Sequence, residues 1–322
     1  MSLTVTAESF RLAEVFTIAR GSRTEAKVLT VRVTREGITG QGECVPYARY
    51  GETLESVTAQ IEALPQGVTR EELQSLLPAG AARNAVDCAL WDLEAKASGV
   101  PVWQLAGLDA PGAVTTAFTL SLGEPGAMRA AAARAAARPL LKIKLGGGPE
   151  DVERIRAVRA GAPEATIIVD ANEGWSVEEY QTLAPIFVEL GVSMVEQPFP
   201  AGEDAALADI ARPLPVCADE SCHDTNSLEG LAGKYDMVNI KLDKTGGLTE
   251  ALALREAARA AGFEVMVGCM VGSSLAMAPA HLVAQGAEIV DLDGPLLLAE
   301  DRDPPIPFEG SVMHPVPAAL WG

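Results

Sequence analysis

Three carboxylates end three β-rich runs that follow one another in the chain. Asp170 follows Thr-Ile-Ile-Val, Glu196 follows Ser-Met-Val, and Asp219 follows Val-Cys-Ala. Adjacent parallel strands place their carboxyl ends together, so these acids would converge and would repel one another unless a hard cation bound. Oxygen ligands suit Mg²⁺ or Mn²⁺, and the lack of His and Cys among them disfavours zinc. Each acid alone could equally cap the following helix, and only the set of three favours a metal.

Lysines end two other β-rich runs. Lys142 and Lys144 lie in Leu-Leu-Lys-Ile-Lys-Leu, and Lys241 lies in Asn-Ile-Lys-Leu. Residues i and i+2 of a strand share a face, so Lys142 and Lys144 point the same way and Ile143 points the other way. Simple balancing of the acidic charge explains part of this pattern. However, Lys144 and Lys241 would also flank anything that the acids hold, and a nearby cation would lower a lysine pKa from its reference of about 10.4.

This combination suits removal of a proton alpha to a carboxylate. One lysine would take the proton, while the metal and Lys142 would stabilise the enediolate electrostatically. The second lysine would return a proton on the opposite face and invert the stereocentre. The sequence therefore predicts proton-transfer chemistry on a carboxylate substrate.

Eight β-rich runs alternate with helical stretches from about residue 114 onward. Markers near their ends, from Thr119 to Asp291, are separated by 22 to 27 residues. A strand, a loop, a helix and a second loop fill such an interval, and eight parallel strands with crossover helices make a (β/α) barrel. A doubly wound open sheet is the alternative, but it predicts no such count.

The first hundred residues have a different pattern. Residues 26–33 and 37–44 predict a hairpin, and residues 52–64, 69–77 and 81–98 predict helices. The stretch after residue 300 is rich in proline. We therefore expect an α+β unit at 1–113, the barrel at 114–300, and a C-terminal tail at 301–322 that packs on the first unit.

The composition excludes several classes of protein. The balance of 25 basic and 44 acidic residues is −19, which argues against binding to nucleic acid or to anionic membranes. Five cysteines without CxxC spacing argue against a disulfide framework, and the first residues do not read as a signal peptide, so we expect a cytoplasmic protein. Residues 265–287 lack charged side chains, but their glycines, proline and histidine favour a buried strand, a turn and a helix over a membrane span.

The chain resembles the muconate-lactonizing subgroup of the enolase superfamily over almost its whole length, including the first unit. Enzymes of that superfamily use lysine bases and stabilise an enediolate with a metal ion. The resemblance implies a modified (β/α)8 TIM-type barrel of the (β/α)7β form, with an N-terminal α+β capping domain. It also implies Lys144 and Lys241 as the acid/base pair, and one Mg²⁺ per subunit, with Mn²⁺ as a substitute, at Asp170, Glu196 and Asp219. The motifs that carry it are Lys142-Ile143-Lys144, Asp170-Ala171-Asn172, Glu196-Gln197-Pro198, Ala218-Asp219-Glu220-Ser221 and Lys241.

Within that subgroup the chain is similar to the L-Ala-D/L-Glu dipeptide epimerases. Asp291 and Asp293 match the acidic pair that holds the dipeptide ammonium, and Arg23 matches the residue that pairs with the glutamate side chain. Thr119 and Cys269 align with positions that contact the substrate, as does Lys142. The resemblance implies epimerisation of the second residue of a dipeptide in recycling of cell-wall peptides, and we expect a homo-oligomer. The segment 18–25 is the candidate cover of the barrel mouth.

Two alternatives stay open. The first is an N-acylamino acid racemase or a cycloisomerase of the same subgroup; Asp291 and Asp293 argue against it, because those substrates have no free ammonium. The second is a catalytically silent metal-binding barrel, against which the presence of both lysines argues. The sequence also leaves open whether Arg20 or Arg23 contacts the substrate side chain.

Overall fold

The computed structural model describes residues 2–322 and begins with a long antiparallel hairpin. The first sheet has the order β1 (Ser2–Ile18), β2 (Gly21–Arg35) and β3 (Ile38–Cys44). The predicted hairpin lies in β2 and β3. The strand β1 was not predicted, although exposed side chains alternate with more buried ones along residues 2–6 and 7–12.

Helices pack on one face of this sheet: α1 (Leu54–Glu62), α2 (Arg70–Leu76), α3 (Ala81–Ser98) and α4 (Val102–Leu105). Thr53 and Thr69 begin α1 and α2 with capping boxes, which satisfy free N–H groups at the helix starts. The helix α3 lies so close to β3 that a Cβ atom on Gly42 would be 2.3 Å from the Ala85 carbonyl oxygen. Glycine in β3 therefore permits this contact.

A barrel of eight parallel strands follows, as predicted. The short strand β4 (Val114–Thr115) precedes it. The barrel strands are β5 (Phe118–Leu120), β6 (Leu140–Lys144), β7 (Thr166–Asp170), β8 (Val192–Glu196), β9 (Val216–Ala218), β10 (Met237–Ile240), β11 (Glu264–Gly268) and β12 (Ile289–Asp291), hydrogen-bonded in this order. The Ala117 N–H donates to the Val290 carbonyl at 2.7 Å, which joins the last strand to the segment that enters the first.

Helices surround the barrel strands. They are α5 (Pro125–Arg134), α6 (Glu150–Gly161), α7 (Val177–Glu189), α8 (Leu228–Leu231), α9 (Leu242–Thr245), α10 (Leu248–Ala260) and α11 (Ser274–Val283). A 3-10 helix at Ala205–Ala208 lies in the connection from β8 to β9, and another at Gly294–Leu297 follows β12. The eight-stranded barrel with an N-terminal antiparallel domain agrees with the fold class expected from the sequence.

The barrel interior is built in layers. One apolar layer contains a side chain from each of seven strands, namely Leu140, Ile168, Met194, Cys217, Met237, Met266 and Ile289. Two residues further along each strand stand the polar or small residues of the next layer: Lys142, Asp170, Glu196, Asp219, Asn239, Gly268 and Asp291. Alternate residues of a strand share a face. The face that fills the barrel interior with apolar side chains therefore also presents the charged groups at the barrel mouth.

The C-terminal residues contact both parts of the molecule. The strands β13 (Phe308–Glu309) and β14 (Val312–Met313) form a small sheet with β4. The Trp321 indole N–H donates to the Cys88 carbonyl at 3.0 Å, and the Gly322 N–H donates to Asp92 Oδ1 at 2.8 Å. The domain boundaries at 113 and 300 stay predictions.

The uncharged stretch 265–287 comprises most of β11, a turn and α11, as expected from its glycines and proline. In the described part of the chain, no helix is both long enough and apolar enough to span a membrane.

Candidate active site

The three acids converge at the carboxyl ends of neighbouring strands. Asp170 ends β7, Glu196 ends β8, and Asp219 directly follows β9. One carboxylate oxygen from each lies within 4.8 Å of the others, and all three residues are buried. A set of three carboxylate oxygens in so small a space fits a hard divalent cation such as Mg²⁺.

Three lysines surround this acidic cluster. Lys144 Nζ lies 2.5 Å from Asp170 Oδ2, and Lys241 Nζ lies 2.6 Å from Asp219 Oδ2. Lys144 and Lys241 therefore contact different acids and approach the cluster from different strands. Lys142 Nζ lies 2.6 Å from Glu196 Oε2 and 3.3 Å from Asp170 Oδ2.

The charged groups of this cluster shift one another's pKa values. Burial raises the pKa of Glu196 to about 7, with Asp170 adding to the effect. Burial also disfavours charge on Asp219, but Lys241 and the nearby Lys244 outweigh it and hold the Asp219 pKa well below its usual range.

Two neighbouring carboxylates determine the pKa of Lys241 among the protein groups. Burial lowers the pKa of Lys241, but attraction to Asp219 and Glu196 is stronger and raises the pKa well above its ordinary value. The lowered lysine pKa expected from the sequence depends on a bound cation and stays a prediction. The acids hold Lys241 in the charged form, and a base at this position needs the acidic charge to be shared with a cation.

A pocket opens above the acids, with walls from both domains. Asp170 and Glu196 form ion pairs with Lys142, which lines it, and the other predicted site residues line it too. These are Arg23, Thr119, Lys142, Lys144, Asp219, Lys241, Cys269, Asp291 and Asp293. The structure thus brings together all of the residues that the sequence selected.

Asp291 and Asp293 form a second acidic pair on one side of this pocket. The strand β12 ends at Asp291, and Asp293 lies beyond it, directly before the 3-10 helix Gly294–Leu297. Asp293 Oδ2 accepts a hydrogen bond from the Thr119 N–H at 2.6 Å. Asp291 Oδ2 accepts one from Lys142 at 2.8 Å, while Asp291 Oδ1 is buried without a hydrogen-bond partner. This free acceptor could receive a positively charged donor.

Burial and the neighbouring Asp291 raise the pKa of Asp293 to about 7. Lys142 contacts Asp291 but also Asp170 and Glu196, so the acids around it outnumber the positive charge that it supplies. Such a site favours a cationic group of a ligand.

The hairpin between β1 and β2 covers part of the barrel mouth. The segment expected as a loop is the tip of this hairpin, with Ile18 and Gly21 paired. Arg20 at the tip forms ion pairs with Glu220 at 2.8 Å and with Glu173 at 3.2 Å. These ion pairs hold the tip against the barrel.

Arg23 has a different environment. Its guanidinium lies over the Tyr47 ring, 5.1 Å from the centroid, and it forms no ion pair with any residue in 2–322. Its charge is available to an anionic ligand, whereas Arg20 is already engaged by two carboxylates.

Several residues of the site were missed by reasoning from the sequence. Tyr47 and Tyr50 line the pocket from the capping domain, and no sequence signal separates them from ordinary packing aromatics. Asn239 donates to Glu196 Oε1 at 2.7 Å. It stands two residues before Lys241, so the alternation of the strand could have placed it inside the barrel. Lys244 lies on α9, beyond the strand, so strand alternation could not have predicted its position.

Two protein families match the sequence of this chain. Residues 1–107 match the N-terminal domain of mandelate racemase / muconate lactonizing enzyme, and residues 127–315 match the enolase C-terminal domain-like family. The chain belongs to the enolase superfamily.

Two curated enolase-superfamily relatives are similar over nearly the whole chain. The L-Ala-D/L-Glu epimerase of Escherichia coli (strain K12) is 50% identical over 313 residues, which cover 95% of this chain and 97% of the relative. The N-acetyl-D-glutamate racemase of Pseudoalteromonas sp is 46% identical and covers 92% of this chain and 95% of the relative.

A solved structure is also similar in fold. An enolase family member from Agrobacterium tumefaciens with homology to dipeptide epimerases, with sodium and L-Ala-L-Glu bound, is 55% identical. It superposes with a TM-score of 0.97, and the match covers 99% of each chain.

Proposed function

We propose that this member of the enolase superfamily is a Mg²⁺-dependent dipeptide epimerase that inverts the second residue of an Ala-Glu-like dipeptide. The observation that carries the proposal is the placement of Lys144 and Lys241 around a three-carboxylate cation site, beside the acidic pair Asp291 and Asp293. The similarity to the Escherichia coli epimerase supports the same reaction.

Asp170, Glu196 and Asp219 would hold Mg²⁺, which would supply positive charge beside the substrate carboxylate and make the α-proton more acidic. One lysine, in its neutral form, forms an N–H bond as the substrate Cα–H bond breaks. The other lysine, in its charged form, donates a proton to the opposite face of Cα. Lys142 places a further positive charge where negative charge develops on the carboxylate.

Substrate recognition follows from the charges around the lysines. The free acceptor on Asp291, with Asp293 beside it in the pocket, suits the dipeptide ammonium. Arg23 suits the side-chain carboxylate of a second-residue glutamate, because no protein carboxylate in 2–322 neutralises it. Thr119 and Cys269 line the same pocket.

A second candidate function is racemisation of N-acetylated glutamate. The similarity to the Pseudoalteromonas racemase favours it, and the same lysines, cation site and arginine would serve. An N-acetyl group is neutral, however, and would leave the acidic pair at 291 and 293 without its cationic partner. The acidic pair therefore favours a free ammonium.

A direct comparison of two substrates separates these candidates. The protein with Mg²⁺ is incubated in D₂O with L-Ala-L-Glu or with N-acetyl-L-glutamate, and the α-proton of glutamate is followed by NMR. We expect exchange with inversion of the dipeptide, and at least tenfold slower exchange of the N-acetyl compound. Faster exchange of N-acetyl-L-glutamate would establish the racemase, and no exchange of either compound would support a catalytically silent barrel.

The expected homo-oligomer and the cytoplasmic location stay predictions. Sedimentation of the purified protein would test the first.

A further inference from the structure

Each acid of the cation site has one carboxylate oxygen held by a donor other than the three lysines at the pocket. The three pairs are Asn172 N–H to Asp170 Oδ1 at 2.9 Å, Asn239 Nδ2 to Glu196 Oε1 at 2.7 Å, and Lys244 Nζ to Asp219 Oδ1 at 2.7 Å. The other oxygen of each acid contacts Lys144, Lys142 or Lys241, respectively. Each carboxylate therefore has one oxygen fixed by the protein frame and one directed to the centre of the site.

Lys244 is the least expected of these donors. Its side chain is 0% exposed, and it lies outside the pocket wall formed by the described residues. Besides Asp219 Oδ1, its ammonium donates to the Asp219 carbonyl at 2.5 Å and to the Asn239 carbonyl at 2.9 Å. All three N–H groups are thus used, and Lys244 cannot reach a substrate, so it acts only through Asp219 and Asn239.

Asn239 is held by one side-chain hydrogen bond, to Glu196, and its Oδ1 is buried without a partner. It is fully buried on β10, and Lys244 ties its backbone to Asp219. Its side chain fills the space beside Gly268, where a Cβ atom would lie 2.6 Å from Asn239 Oδ1. The two donors and the glycine therefore form one frame that fixes the outer oxygens of Glu196 and Asp219.

We propose that Lys244 and Asn239 are positioning residues that make the cation site select Mg²⁺ over Ca²⁺. Ca²⁺ takes about six to eight oxygens and often binds both oxygens of one carboxylate, whereas Mg²⁺ takes six at near-octahedral geometry. With the outer oxygens of Glu196 and Asp219 engaged, each of these acids offers one oxygen, which suits Mg²⁺. The inference shares one assumption with the proposed function, which is that these three acids bind the cation.

The test measures binding and not activity. Mn²⁺ binding is followed by EPR, and Mg²⁺ and Ca²⁺ are added as competitors to give both dissociation constants. In Lys244→Met, we expect Mg²⁺ affinity to fall about 10-fold to 100-fold, as is usual when a partner of a metal ligand is removed. The affinity for Ca²⁺ should fall less, because the released Asp219 oxygen becomes available to it, so the ratio of Mg²⁺ to Ca²⁺ affinity falls.

Lys96→Met is the matched control. Lys96 Nζ lies 2.6 Å from the buried Asp92 in the capping domain, so the substitution breaks a similar ion pair away from the site. Both its Mg²⁺ and its Ca²⁺ affinity should equal those of the wild type. Circular dichroism shows whether each variant is folded, and if Lys244→Met is not, Asn239→Leu tests the same prediction at Glu196.

An unchanged affinity ratio in a folded Lys244→Met or Asn239→Leu protein would overturn the inference. An equal loss for both cations would overturn it as well, because a general disruption of the site predicts that result. A wild-type protein that binds Mg²⁺ without exchanging any substrate refutes the proposed function alone. A wild-type protein that binds no divalent cation refutes both.

Discussion

The substitution Arg23→Leu tests how the protein recognises the second residue of its substrate. Arg23 lies in the pocket with its charge unpaired by any carboxylate in 2–322, so its full charge can act on a substrate glutamate. A hydrogen bond to a charged group contributes about 1.5–3 kcal/mol, which corresponds to about 10-fold to 150-fold in kcat/KM. We expect a loss in this range for L-Ala-L-Glu.

The assay compares two substrates of similar shape. L-Ala-L-Met has nearly the length of L-Ala-L-Glu but no side-chain charge, and kcat/KM for each is measured by polarimetry or by NMR. Arg23→Leu should lower the value for L-Ala-L-Glu and leave that for L-Ala-L-Met equal or higher. The preference for glutamate should therefore disappear.

Arg20→Leu serves as the comparison variant. Arg20 holds the hairpin tip through Glu220 and Glu173, so its loss should impair both substrates to a similar extent. If Arg23→Leu impairs both substrates equally, or if Arg20→Leu alone removes the preference for glutamate, the assignment of Arg23 is refuted.

Three further predictions follow from buried groups. Gly268→Ala should push Asn239 away from Glu196 and weaken Mg²⁺ binding about tenfold, measured by calorimetry; unchanged affinity would show that this contact is dispensable. Asp293→Asn should raise KM for L-Ala-L-Glu about tenfold or more without changing that of N-acetyl-L-glutamate, and an equal rise for both would contradict a role in binding the ammonium. Burial lowers the pKa of His281 to about 4. Between pH 6.5 and 4, His281 is therefore protonated in the unfolded chain but neutral in the folded protein. Stability should therefore fall by about 3 kcal/mol between pH 6.5 and 4, and urea unfolding of His281→Gln should lack this contribution; identical pH profiles would refute it.

The barrel and its charged layer were predictable because strand alternation is a local property. Lys142 and Lys144 are two residues apart, and that spacing alone places them on one face. The ends of β7 and β8 coincide with Asp170 and Glu196, so reading charges at strand ends located the cation site. The spacing of the eight runs then gave the barrel.

Other features depend on where the chain turns, which the sequence does not show. Lys244 reaches Asp219 because α9 begins directly after β10 and turns its side chain back toward the site. Asp293 joins Asp291 although it lies beyond β12. The raised pKa of Lys241 also escaped prediction, because it depends on the distances to two acids on other strands.

The measurement that tests the two-base reaction most directly is isotope exchange in Lys144→Ala and Lys241→Ala. Each variant with Mg²⁺ is incubated in D₂O with L-Ala-L-Glu and, separately, with L-Ala-D-Glu, and the α-proton and the configuration of glutamate are both followed by NMR. We predict that neither variant inverts either dipeptide, and that each exchanges the α-proton of only one of the two, opposite for the two variants. Inversion retained in either variant, or exchange of the same dipeptide by both, would contradict the account.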